Sequence, residues 1–125
     1  MGPRGKAAAL WLPPIALMVL IFALSAMPSD DVDHGPVYLI LRKAAHFTEY
    51  ALLAALWWRA LRTRMADSAA LAAAFAIAVG YSITDEIHQT FVDGRTGSPV
   101  DVLIDTAGAA TAVALAARRR RKAPV

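Results

Sequence analysis

Three short blocks hold most of the side chains able to do acid–base or ligand chemistry, and each is set in apolar surroundings. They are Lys43, His46, Glu49 and Tyr50; Tyr81, Asp85, Glu86, His88 and Gln89; and Asp101 with Asp105. His46, Glu49, Asp85, Glu86 and His88 are the general acid and base candidates, since imidazoles and carboxylates tuned by burial can move protons near neutral pH. Lys43 and Arg95 are of the type that holds a phosphate or carboxylate. Tyr50, Tyr81, Gln89, Asp101 and Asp105 complete a candidate substrate-binding set. The same imidazoles and carboxylates could furnish a mixed oxygen and nitrogen site for a divalent metal, although their spacing matches no closed zinc motif. The chain has no cysteine, which excludes disulfides, thiolate catalysis and Cys-ligated centres. It also has no serine elbow, phosphate-cradling glycine loop or H-E-x-x-H helix.

The elements that position these residues are helices. In 125 residues there is room for one domain, and 58 % hydrophobic residues with a mean hydropathy of +0.46 is too apolar for an ordinary soluble protein. Crossing a hydrocarbon core of about 30 Å takes roughly 20 apolar helical residues. Residues 7–27 supply such a run without a charge, and residues 44–62, 68–91 and 100–117 supply three more, each interrupted by polar groups. The expected architecture is an all-α integral membrane bundle of four transmembrane helices with a basic tail at 118–125. The Pro13-Pro14 pair predicts either a kink in the first helix or a start near Pro13. Ser98-Pro99-Val100-Asp101 reads as a capping box with proline at the first helical position of the last helix. A cleavable signal peptide over residues 1–26 is the competing reading, against which stands an apolar run longer than the usual h-region.

Charge placement orients the bundle, because basic residues beside membrane helices are retained in the cytoplasm. Ten of the 13 Lys and Arg fall before the first helix, between the second and third, or after the fourth; only Arg42, Lys43 and Arg95 fall on the other side. Both termini are therefore expected in the cytoplasm. The small net charge of +3 conceals this asymmetry: nine of the 10 acids lie on the side with three basic residues. Basic residues so distributed point to membrane headgroups rather than to nucleic acid.

In that topology the polar residues of helices two, three and four share the extracytoplasmic end. Ionisable groups at membrane depth cost about 2.5–3.5 kcal/mol each on insertion scales and face a bundle interior or aqueous cavity, so one shared pocket is the economical arrangement. At 3.6 residues per turn, Lys43, His46 and Tyr50 form one stripe. Tyr81, Asp85, His88 and Gln89 form a second with Glu86 at its margin, and Asp101, Asp105 and Gly108 form a third. Gly108, Ala109, Ala110 and Ala112 allow neighbouring helices to approach closely. Plainer roles stand beside these: a capping carboxylate for Asp101, snorkelling for Lys43, surface phosphate contact for Arg95, packing for the two tyrosines, or an interhelical network throughout.

The blocks Lys43-Ala44-Ala45-His46-Phe47-Thr48-Glu49-Tyr50 and Asp85-Glu86-Ile87-His88-Gln89-Thr90-Phe91, followed by Arg95 and by Asp101-Val102 through Asp105 to Gly108, resemble the VanZ-like family. That family comprises small bacterial membrane proteins and is named for one associated with teicoplanin resistance. The resemblance covers nearly the whole chain, with one departure at Asp105, where the family more often has Asn. It implies a multi-pass protein of the bacterial plasma membrane and a role in the cell envelope or in glycopeptide resistance, without implying a known reaction. Three functions stay open. The pocket binds or modifies an amphiphilic envelope substrate such as a lipid-linked cell-wall precursor; or the protein binds lipid, glycopeptide or a membrane partner without catalysis; or acids and histidines conduct protons. Against conduction, the opposite halves of the helices are almost wholly apolar, as at Ala72 to Ala78. The sequence leaves both enzymatic activity and oligomeric state open.

Overall fold

The computed structural model describes residues 2–26, 35–92 and 98–122, with the side chains of the last two left out. Four helices account for nearly all of it: α1 (Pro3–Ser25), α2 (Gly35–Leu61), α3 (Asp67–Gln89) and α4 (Pro99–Lys122), with no strand among the described residues. α1, α3 and α4 are long and apolar enough to cross a membrane. α2, which carries Arg42, Lys43, His46, Glu49 and Arg59, is not among those three.

Successive helices run in opposite directions. Trp11 of α1 meets Trp57 of α2 edge-on at 6.2 Å at one end of the bundle, while Lys43 pairs with Asp101 of α4 at the other. α2 and α4 share the largest interface; α3 packs on both, and α1 lies chiefly against α2. Ile21, Tyr50, Leu53, Ala54, Ala78 and Ala109 form the core. Large apolar side chains cover the outside instead, including Leu12, Val19, Val37, Ile40, Ile87 and Leu103. Such a surface suits lipid as its solvent.

Residue type explains the local geometry. α1 begins at Pro3 and runs unbroken through Pro13 and Pro14, so a start near Pro13 is set aside. Pro13 has no N–H to give to the carbonyl of Ala9, four residues back. Arg59 of α2 donates to that carbonyl, so the acceptor orphaned by the proline becomes an interhelical contact. α2 begins at Gly35, nine residues before the expected Ala44. Gly35 takes φ +88°, a backbone region that glycine enters without penalty, and Pro36 follows where a missing N–H costs nothing. The segment 118–122, expected as a tail, continues α4.

Between α2 and α4 the decisive residue is Gly108. A Cβ there would collide with the Phe47 carbonyl oxygen and lie 3.0 Å from its carbonyl carbon. Only glycine permits this crossing, and the close approach brings His46, beside Phe47, to Asp105, one turn before Gly108. At the opposite end Asp67 gathers three helices, accepting from Trp58 Nε1 at 3.0 Å and pairing with Arg62 at 3.8 Å and Arg120 at 3.0 Å.

Candidate functional site

The end formed by the start of α4, the ends of α1 and α3 and the middle of α2 holds the polar cluster. Because α2 begins early, His46 lies eleven residues into it, roughly 16 Å along the helix axis at 1.5 Å per residue. Its candidate residues are therefore mid-helix rather than within the first two turns.

Part of the cluster satisfies itself. Asp105, 2 % exposed, faces His46 Nδ1 at 3.2 Å through one oxygen and accepts from Ser82 Oγ at 2.8 Å through the other. A carboxylate this buried needs such partners, since burial without hydrogen bonds costs several kcal/mol. Lys43 pairs with Asp101. The expected capping box is replaced by an arrangement between helices: the Ser98 N–H donates to Glu86 of α3, and the Asp101 carboxylate turns to Lys43. Asp is one methylene shorter than the Glu or Gln that closes a capping box, which favours this exchange of partners.

The α3 stripe divides. Tyr81 donates to the Met18 carbonyl of α1, and the His88 ring stacks on Phe22 of α1 with centroids 4.6 Å apart. Glu86 turns toward α4, into an apolar groove with Ile83, Ile87, Val102 and Leu103. Asp85 and Gln89 alone face inward to the cleft and are joined by a 3.3 Å bond from Gln89 Nε2 to Asp85 Oδ2. Tyr50 is wholly buried, and its hydroxyl has no hydrogen-bond partner among the described residues.

A cleft of about 340 Å³ opens between α1, α2 and α3. Ile21, Leu24 and Ala45 supply an apolar side; Arg42, His46, Glu49, Asp85 and Gln89 supply a polar one. Arg42 and Glu49 make no ion pair among the described residues. Ser25 and Asp85 are both buried, with the Ser25 hydroxyl beside the Asp85 carboxylate, and both residues line the cleft.

Of the candidates read from sequence, His46, Glu49, Asp85 and Gln89 meet in the cleft. Asp101 and Asp105 of α4 pair with Lys43 and His46 of α2. Tyr81, Glu86 and His88 lie on other faces, and Arg95 is outside the described residues. Ser25, Tyr38, Arg42 and Ser82 were missed. Arg42 was detectable: Tyr38, Arg42, Ala45 and Glu49 recur at helical spacing once Pro36 is read as a helix start. Among the described residues, no group of three or more His, Asp and Glu is placed to hold a metal ion. The mixed ligand set is not assembled there, since His88 and Glu86 turn away from Asp85.

Both motif blocks thus converge on one end of a helical bundle, and the VanZ/LLP1 family model matches residues 10–120. The chain belongs to the VanZ/LLP1 family. No curated protein and no solved structure matches it. Family membership and three apolar helices of spanning length make it a membrane protein. The match takes in every cleft residue, from Ile21 to Gln89, together with the α4 residues behind them.

Proposed function

We propose that this VanZ/LLP1 protein crosses the bacterial plasma membrane with all four helices, both termini in the cytoplasm, and binds an amphiphilic anion of the cell envelope in the cleft between α1, α2 and α3. The carrying observation is the division of the cleft into an apolar side and a polar side, with Arg42 in no ion pair among the described residues. Lipid-linked precursors and phospholipids have that division themselves. Arg42 holds a phosphate or carboxylate by charge-assisted hydrogen bonds, while Ile21 and Leu24 receive the first carbons of a chain. Lys43 and Asp101, with His46, Asp105 and Ser82, position α2 against α4 so that the cleft keeps its shape. Glu49 faces the same space and supplies a proton donor or acceptor to a bound headgroup. Protection against teicoplanin, which the family's name suggests, follows in this reading from occupancy of the cleft by an envelope lipid or precursor.

The test uses Arg42→Gln and Glu49→Gln in cells producing the protein and challenged with teicoplanin, with its membrane abundance measured alongside. Loss of tolerance at unchanged abundance supports the reading. Full tolerance in both variants, or loss that merely follows abundance, overturns it.

A further inference from the structure

An ionised carboxylate only accepts, so the 3.2 Å contact of Asp105 Oδ1 with His46 Nδ1 puts the proton of a neutral imidazole on Nδ1. The lone pair is then on Nε2. Ser82 Oγ, 2.8 Å from Oδ2, holds the same carboxylate from its other side. Asp105 keeps 2 % of its side chain exposed and His46 keeps 16 %, so the acid is sealed while the ring has an open edge. That ring lines the cleft, and with Nδ1 turned to α4, Nε2 is the nitrogen left for the cleft. Arg42, His46 and Glu49 stand at i, i+4 and i+7 of α2, on one helical face, and all three line the cleft. All three are reachable: Arg42 is exposed, and His46 and Glu49 are half-buried. At 1.5 Å per residue, Arg42 lies about 6 Å from His46 along the axis, and Glu49 about 4.5 Å beyond it. An anion holder, an oriented nucleophile and a proton donor in that order are the parts of phosphoryl transfer to an imidazole.

We infer that the cleft hydrolyses phosphate monoesters of lipid alcohols, with His46 Nε2 as nucleophile, Glu49 as general acid and base, and Asp105 as the positioning residue that sets the His46 tautomer. The inference rests on the proposed function, in which Arg42 holds the phosphate of an amphiphile. Nε2 attacks phosphorus, the bond from phosphorus to the lipid oxygen breaks, and the proton of the Glu49 carboxyl passes to that oxygen. A lipid alcohol leaves and His46 carries the phosphoryl group. The positive charge on the phosphorylated ring is met by Asp105. Water then attacks phosphorus and gives its proton to the Glu49 carboxylate, the P–N bond breaks with its electrons returning to Nε2, and phosphate leaves. The net change is one lipid phosphate and one water to one lipid alcohol and one phosphate. Placement selects the bond that breaks: Glu49 lies on the side of His46 toward the middle of α2, Arg42 on the side toward its start. In the proposed topology the lipid oxygen is thus the deeper one and the phosphate the shallower. A cleft of about 340 Å³ with Ile21 and Leu24 on its apolar side suits a terminal phosphate and the first carbons of a chain.

The experiment follows phosphate release from phosphatidic acid by the purified full chain in detergent micelles, with glycerol phosphate as a soluble second substrate. Binding of phosphatidic acid and of phosphatidylcholine is measured alongside by native mass spectrometry. The native chain should free phosphate and diacylglycerol in equal amounts, with kcat/KM for glycerol phosphate lower by about tenfold or more, the equivalent of two buried methylenes. His46→Gln should abolish release, together with the phosphoryl group that intact mass detects on the native chain after an alkaline quench. Asp105→Asn offers an amide N–H to Nδ1 and moves the ring proton to Nε2. Its kcat should fall about 10²–10⁴-fold with KM within about threefold and the chain still folded. A native chain that binds phosphatidic acid but frees no phosphate overturns the inference and leaves the binding function standing. Release that persists in His46→Gln or Asp105→Asn, or that falls in both only in step with the folded fraction, overturns it as well. If phosphatidic acid binds no better than phosphatidylcholine, the proposed anion site itself fails. Equal turnover of glycerol phosphate overturns the assignment to a lipid.

Discussion

Gly108→Ala tests whether the α2–α4 crossing builds the site. In the native packing the new methyl would strike the Phe47 carbonyl and lie 3.0 and 3.2 Å from its carbonyl carbon and Cα. Carbon atoms prefer about 3.5–4.0 Å, so α4 must retreat by roughly half an ångström to an ångström. Phe47 offers backbone there, which cannot rotate aside. Overpacking of this kind costs about 1–3 kcal/mol. The retreat also stretches the 3.2 Å contact of His46 with Asp105 toward the limit of hydrogen bonding, and a hydrogen bond to a charged group contributes about 1.5–3 kcal/mol. Alanine recovers at most about 1 kcal/mol of helix propensity. The net expectation is a loss of roughly 2–4 kcal/mol, with weakened ligand binding in the cleft. Gly80→Ala is the control, since a Cβ at Gly80 of α3 meets nothing within 4 Å; it should be neutral or stabilising by up to about 1 kcal/mol. Equilibrium unfolding in detergent, followed by tryptophan fluorescence, measures both variants. If Gly108→Ala is as stable as Gly80→Ala, the close crossing does not hold the site together and the reasoning fails.

Two further outcomes are expected. Asp105→Asn keeps an oxygen for Ser82 or His46 and should cost no more than about 1 kcal/mol, whereas Asp105→Ala strands both buried partners and should cost about 2–4 kcal/mol; equal costs in the same unfolding assay would refute the paired role of this carboxylate. For orientation, single cysteines replacing Asp31 or Asp93 should react with an impermeant thiol reagent in intact cells, and cysteines replacing Arg64 or Pro124 should not. The reverse labelling pattern would invert the proposed topology.

Helical class and number were legible without coordinates, because length, apolar runs and prolines at helix starts act locally. The α4 start at Pro99 was visible for that reason, and the polar grouping of His46, Asp85 and Asp105 followed from helical spacing and alternating helix direction. The first nine residues of α2 were not recognised. Arg42 and Lys43 interrupt the apolar pattern there, and the charges outweighed Pro36 and the Val37–Leu41 run. Losing that segment also hid Arg42 as a cleft residue.

Which polar groups pair with one another was decided only by the packed helices. Composition and charge placement identify a membrane bundle with acids gathered at one end, since hydropathy and net charge are sums over residues. Pairing depends on rotation and separation of whole helices, which no single segment encodes. Gly108 sets the α2–α4 distance, Asp105 thereby reaches His46 and Ser82, and Glu86 takes the Ser98 N–H that frees Asp101 for Lys43. Of the candidate acids, that leaves Glu49 and Asp85 lining the cleft with Arg42.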